Sequence, residues 1–164
     1  MGRKGATPAQ IEALYSARFA HLVKVAAAIC HDPELSRDVV QSAFTAALRN
    51  RRSFRGESAL EGWIWRIVVN EARRVAREHA QVPGAYADNA NSNGNGMHED
   101  DPLGIRPWIA TLPDRQREAI FLRYFADLDY STIADTLGIE VGTVSATLGA
   151  AHRSLRKRLQ EVRQ

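Results

Sequence analysis

Only one cysteine, Cys30, stands among the 164 residues. A lone thiol excludes an internal disulfide framework and a cysteine-rich zinc module. Long apolar runs are missing too. The longest, Val25 to Cys30, falls far short of the roughly 20 residues that a membrane span needs. The start, Met1 to Gly5, leads into no signal-peptide core, so a soluble, cytoplasmic protein without membrane insertion is expected. The histidines His21, His31, His79, His98 and His152 are scattered, and none has HExxH spacing. The adjacent Cys30 and His31 suit a small buried thiol and a helix-end histidine better than a metal pair. P-loop, GxSxG and Rossmann fingerprints are absent. Glu99, Asp100 and Asp101 lie in a segment with nothing to hold them rigid for acid–base work. The sequence therefore predicts no enzyme, no cofactor and no metal.

What is present is near the globular average: 45% hydrophobic and 25% charged residues, with a net charge of +3. The charge is unevenly placed. Residues 1–80 carry 13 basic and 8 acidic side chains, residues 81–104 none and 4, and residues 105–164 carry 9 and 7. Two basic blocks fit two nucleic-acid contacts, although surface arginine that serves solubility gives the same count. The segment 81–104 is rich in Asn and Gly and offers little to bury, so it predicts a flexible acidic linker. It divides the chain into domains over 8–80 and 105–164.

The first block reads as three helices. Thr7-Pro8-Ala9-Gln10 is a capping box, followed by Ile11, Leu14, Tyr15, Phe19, Leu22, Ala26 and Ile29 at helical spacing. Asp32-Pro33 is the next start signal. It precedes the stripe Leu35, Val39, Ala43, Ala47, with Val40, Phe44 and Leu48 beside it. Asn50 to Gly56 reads as a loop. Ser58-Ala59-Leu60-Glu61 is a second capping box, opening a helix to about residue 79. In the second block Pro113 opens a helix carrying Ile120, Phe121, Tyr124 and Phe125. Asp129 caps a short helix to Leu137, and a last helix runs from about Val141. No stretch alternates as a strand, so the fold class is all-α, two small helical domains.

Ser131 to Val144 has the shape of a helix-turn-helix. Ala134 is small where two helices cross, and Gly138 supplies the positive φ of the turn. Ile133, Leu137, Ile139 and Val144 fill the wedge. Such a unit projects the start of its second helix toward base edges in a major groove. An ordinary helical hairpin shares the Ala and Gly but needs none of the four apolar positions.

A second signal lies on the helix after Ser58. Trp63, Arg66, Asn70, Arg73, Arg74 and Arg77 share one face, with Trp65 near. Leu60, Ile64, Ile67 and Val75 lie toward the core. Arginine neutralises phosphate and indole stacks on an unpaired base. A solvated amphipathic face has the same pattern. The loop before it holds Arg51, Arg52 and Arg55 around Phe54. It suits either a strand clamp or a basic turn with Phe54 tucked inward.

Together these fragments resemble bacterial extracytoplasmic-function sigma factors, promoter-specificity subunits of RNA polymerase. In block one the resemblance rests on Asp32-Pro33-Glu34-Leu35, Asp38 to Phe44, Phe54 to Ser58, Trp63 to Ile67, Asn70 and Arg73-Arg74, in the order of the family's region two. In block two it rests on Leu112-Pro113, Arg117-Glu118, Leu122 to Phe125, Ile133-Ala134, Leu137 to Ile139 and Val141 to Val144, as in region four. The resemblance implies that the helix of Asp38, Gln41 and Phe44 docks on the coiled coil of polymerase β′, although Phe44 also suits a core position. It implies that Arg52, Phe54, Arg55, Trp63, Arg66, Asn70, Arg73, Arg74 and Arg77 hold the unpaired minus-10 strand. Ser131, Thr132, Thr143, Ser145, Ala146, Thr147 and Arg153 would meet the minus-35 duplex. The polymerase β flap and an anti-sigma factor are the further partners implied.

One stretch departs from the family. After Val144 the family commonly places basic residues, whereas here Ser145 to Ala150 intervene and charge returns at Arg153, Arg156, Lys157 and Arg158. No guanidinium stands at Ser145 or Thr147 for a bidentate guanine contact. Hydroxyls of Thr143, Ser145 and Thr147, with Ala146 against a thymine methyl, are the readers left. Two other readings compete. A stand-alone helix-turn-helix regulator requires a dimer seam, and no heptad seam is visible. A sigma-like adaptor that no longer starts transcription is supported only by the weakly basic 145–150 stretch.

Overall fold

A computed structural model describes residues 5–81 and 105–162. The expected linker falls outside the described residues from 82 to 104.

Helix α1 (Pro8–Cys30) begins at the capping box. Thr7 Oγ1 accepts from the Gln10 backbone at 3.2 Å, and Gln10 Oε1 accepts from the Thr7 backbone at 2.9 Å. It ends where His31 turns left-handed, at φ 59°. Asp32 restarts the chain at once: its Oδ1 accepts from the backbone N–H groups of Glu34 and Leu35 at 2.8 and 3.2 Å. Such a cap contributes about 1 kcal/mol. Pro33 opens α2 (Pro33–Asn50), so a two-residue corner folds α2 back along α1. A single 3₁₀ turn, Arg51–Ser53, and a loop with Gly56 at φ 70° lead to α3 (Leu60–Ala80). The capping box expected at Ser58–Glu61 does not form. The N-cap is Ala59, without a side-chain bond, and Glu61 is drawn to Arg18 of α1 at 2.7 Å.

These three helices close on Leu22, Val25, Ala26, Val39, Val40, Ala43, Val68 and Val69, all buried. Burying one Leu or Val side chain contributes about 1.5–3 kcal/mol. By length and composition alone α1 is apolar enough to cross a membrane, a property hidden from a search for unbroken runs by Arg18, His21 and Lys24. In the fold its residues Ile11, Leu22, Val25, Ala26 and Ile29 belong to the core shared with α2 and α3.

The second half comprises α4 (Arg106–Ala110), α5 (Asp114–Ile120), α6 (Tyr130–Leu137) and α7 (Val141–Val162). The single helix expected through Phe125 widens into a π turn over Phe121–Phe125, where Ala126 N–H donates to Phe121 O at 3.0 Å. Arg123 covers the end of that turn by donating to Leu128 O at 3.0 Å. Asp129 caps α6 as expected, accepting from Thr132 N–H at 2.7 Å. That bond holds its carboxyl below the ordinary carboxylate range. Gly138 ends α6 at φ 66°, and Ile139 N–H closes the turn on Ala134 O at 3.1 Å. Ile133, Ala134, Leu137 and Val144 are buried in the wedge and Ile139 half-buried. The helix-turn-helix is thus built as its sequence pattern indicates. Among the described residues there is no strand.

The halves are not separate. One continuous apolar cluster spans both. Helix α3 packs on α6, and α1 packs on α5 and the π turn.

Candidate nucleic-acid interface

The stripe on α3 divides by depth. Arg66, Asn70, Arg74 and Arg77 are exposed. Arg74 is held on its own helix by Glu71 at 2.7 Å and Glu78 at 2.5 Å. Exposed pairs of this kind are screened by solvent and add little to stability. They leave Arg74 charged and depress the Glu71 carboxyl through its bond to that guanidinium. Arg73 lies half-buried and turns away from solvent to Glu118 of α5. Trp65 does not join the stripe. It is 1% exposed and fills the core, because two residues along a helix move a side chain about 200° around the axis.

Loop and stripe do meet. The Phe54 ring lies 5.5 Å from the Trp63 ring, tilted 52°, within the range of favourable aromatic pairs. Both rings are half-buried, and Arg52 and Arg55 are exposed beside them. An aromatic shelf therefore sits next to the exposed Arg66. On α2, Asp38 and Gln41 are exposed and line one shallow groove with Ser42, Thr45 and Arg49. Phe44 points the other way. It is 5% exposed, with its ring edge-on to Tyr15 at 4.8 Å. The implied docking contact of Phe44 is corrected here: a partner could touch it only if α1 and α2 parted.

On the helix-turn-helix, Thr143, Ser145 and Ala146 are exposed along the start of α7, Thr147 is partly covered, and Arg153 is exposed midway along the helix. Ser131 is exposed, but Thr132 faces the first half, its Cγ2 lying 3.5 Å from where a Cβ on Gly62 would be. Three residues gain roles that the sequence reading did not assign. Arg115 donates to Leu137 O at 3.2 Å and so ties α5 to the turn. Arg117, 8% exposed, donates to Ala110 O, Leu112 O and Asp114. Glu118, 4% exposed, receives Arg73. For Arg117 and Glu118 the signal is burial of charge in a short helix, and for Glu118 it becomes visible only with a partner 45 residues away. Cys30 is buried, with Sγ donating to Asp32 O at 3.3 Å, and burial pushes its thiol pKa up. No group of three or more His, Cys, Asp or Glu able to hold a metal exists among the described residues.

Comparison with known proteins decides what this scaffold is. The family pattern for Sigma-70 region 2 matches residues 14–81, and that for Sigma-70 region 4 matches residues 108–160. The RNA polymerase sigma-H factor of Pseudomonas aeruginosa is 31% identical over 146 residues, covering 79% of this chain and 76% of that protein. The ECF RNA polymerase sigma-E factor of Haemophilus influenzae is 32% identical over 139 residues, covering 75% and 74%. The chain belongs to the extracytoplasmic-function RNA polymerase sigma factors.

Two solved structures share the sigma fold. CnrH in complex with the cytosolic domain of CnrY has a TM-score of 0.71 at 21% identity, covering 95% of this chain and 91% of that one. The sigma factor RpoE in complex with the anti-sigma factor NepR from Bartonella quintana has a TM-score of 0.69 at 20% identity, covering 92% and 97%. In this sigma factor, region 2 is α1 to α3 and region 4 is α4 to α7. Sigma factors form a non-enzymatic family of transcription factors that act on RNA polymerase and promoter DNA. A stand-alone regulator is not favoured.

Proposed function

We propose that region 2 docks on the β′ coiled coil through Asp38, Gln41 and the rest of the exposed α2 face, with Phe44 serving only to hold α2 in place. The loop and α3 then hold the melted minus-10 strand. Phe54 and Trp63 offer stacking surface, while Arg52, Arg55, Arg66, Asn70 and Arg77 meet phosphates and base edges. Extruding one base costs a few kcal/mol, and stacking on an aromatic side chain returns about 1–3 kcal/mol. Region 4 lays the start of α7 in the minus-35 major groove, reading with Thr143, Ser145, Ala146 and Thr147 and anchoring with Arg153 and Ser131. The β flap and an anti-sigma factor complete the partners. The protein works in the cytoplasm, without catalysis or cofactor of its own.

The observation that carries this reading is the Phe54–Trp63 shelf beside exposed Arg66. The test is promoter opening by holoenzyme, followed by permanganate reactivity of unpaired thymines. Trp63→Ala with Arg66→Ala should abolish opening and leave co-elution with core polymerase intact. Normal opening by that double variant would remove the shelf from the mechanism.

A further inference from the structure

The loop that carries Arg52 and Phe54 is anchored by residues from before α1. Ala6 N–H donates to Arg51 O at 2.9 Å, and Phe54 N–H donates to the same oxygen at 3.4 Å. The first is an ordinary backbone bond and the second a stretched one. Side chains tie the turn back to α2, Ser53 Oγ donating to Asn50 O at 2.8 Å and Arg51 Nη1 to Leu48 O at 3.0 Å. The arm supplies the close backbone bond. Gly5 lies flat on this turn. A Cβ there would stand 2.6 Å from both Arg51 O and Arg52 Cα, well inside the roughly 3.5–4.0 Å of good carbon contact. Only glycine lets two backbones come so close. Ala6 is 6% exposed and joins the apolar core, and Thr7 then opens α1 with its capping box. The arm is thus fixed on both sides. Beyond Phe54 the loop has Gly56 left-handed at φ 70°, and α3 starts at Ala59 without a side-chain cap. Gly5 and Ala6 lie outside the residues 14–81 matched to Sigma-70 region 2.

We propose that Gly5 and Ala6 are positioning residues for strand capture, a strap that sets where Arg52 and Phe54 stand. The proposal rests on the reading of the Phe54–Trp63 shelf as the strand-binding surface. Gly5 touches the backbone of Arg51 and Arg52, and Ala6 shares its acceptor with the N–H of Phe54. Displacing that turn therefore moves both functional side chains. A base stacks well only on a ring held at the right place and tilt beside Trp63. A loop that samples several positions must be ordered at each binding event, and that ordering weakens affinity. The strap orders the loop before the strand arrives. Neither Gly5 nor Ala6 has a side chain able to bond DNA, so their effect passes through the turn.

The test assembles holoenzymes from bacterial core polymerase and the full chain, and reads their affinity for a fluorescent single-stranded DNA pool of randomised sequence. Gly5→Ala should weaken binding about tenfold, within the worth of one stacked base. Arg52→Ala with Phe54→Ala should weaken it at least as much. Adding Gly5→Ala to that double variant should cost nothing further, because the strap acts through those two side chains. A merely structural defect would add to the loss. Since a Cβ could also disturb folding, a second chain has Met directly before Thr7 and so lacks the strap without gaining an atom. It should show the same loss of affinity. Amide hydrogen exchange over 51–57 should quicken in it, while that of Val68 and Val69 stays unchanged. Arg3→Ala with Lys4→Ala removes the charges that this deletion also takes, and should stay within about twofold of the parent, as changes away from a binding site usually do. Three results overturn the proposal: strap variants that bind like the parent, losses that add in the combined chain, or an equal loss from Arg3→Ala with Lys4→Ala. If Arg52→Ala with Phe54→Ala itself binds like the parent, the strand-binding reading fails and takes the strap with it.

Discussion

Arg117 of region 4 reaches across to region 2, its Nη2 lying 3.4 Å from His31 Nε2 at the left-handed corner between α1 and α2. Desolvation first, then the positive charge of Arg117, hold the His31 pKa below its ordinary 6.5, with Asp114 opposing weakly. A histidine depressed in the folded state binds fewer protons there than in the unfolded chain. Stability must then rise with pH across its titration. The contribution is complete above 6.5 and is lost as pH falls below it. Urea midpoints should therefore drop between pH 7.5 and pH 5.5 more for the parent than for His31→Asn, since asparagine tolerates the left-handed corner. Identical pH slopes for the two chains would refute the assignment.

Phe44 and Asp38 should separate stability from docking. Phe44→Leu is a core swap against Tyr15 and should cost up to about 1.5 kcal/mol of stability. Its affinity for core polymerase should stay within twofold of the parent. Asp38→Ala, on the exposed face, should change stability by no more than about 0.5 kcal/mol and weaken core binding. Chemical denaturation with a core-polymerase titration reads both. The reverse pattern would return Phe44 to the interface.

Region 4 should bind the minus-35 duplex weakly and without strong guanine preference. The exposed start of α7 presents Thr143, Ser145 and Ala146, with no guanidinium before Arg153. Ser145→Arg should add preference for guanine at one position, worth about 1–3 kcal/mol of discrimination. Arg153→Ala should instead lower affinity across sequences and reduce the salt slope by about 1. Selection from a randomised duplex library, repeated at two salt concentrations, checks both. A strong guanine consensus for the parent would count against readout by hydroxyls and a methyl.

Cys30 should be chemically quiet. It is buried, its thiol donates to Asp32 O, and its pKa is raised by burial, so little thiolate is available at neutral pH. Reaction with a chromogenic disulfide should be slow in buffer and fast in urea. Fast reaction of the folded chain would point to opening of the α1–α2 corner.

The legible part of this protein lay in local signals. Thr7, Asp32 and Asp129 each cap a helix because a short polar side chain reaches backbone N–H groups two or three residues on, a geometry the chain carries wherever it folds. Gly138 marks the turn for the same kind of reason, its left-handed φ. The Ser58 cap was misread because Glu61, the other half of that box, had a stronger partner in Arg18, 43 residues earlier. The π turn was invisible because Ile120 to Phe125 keeps an ordinary helical apolar pattern while the backbone bonds shift by one residue.

The sequence by itself determined the long helices, the helix-turn-helix, the family and the pairing of aromatic with basic residues on α3, since each is written in neighbours a few positions apart. Only the tertiary structure decided that Phe44 and Trp65 belong to the core, and that Arg73 faces Glu118 while Arg66 stays exposed. Six residues on one helical face look alike along the chain. Which of them is solvated and which is neutralised depends on what packs against that face from 45 residues away. Burial there makes an unpaired charge costly and so selects the partner.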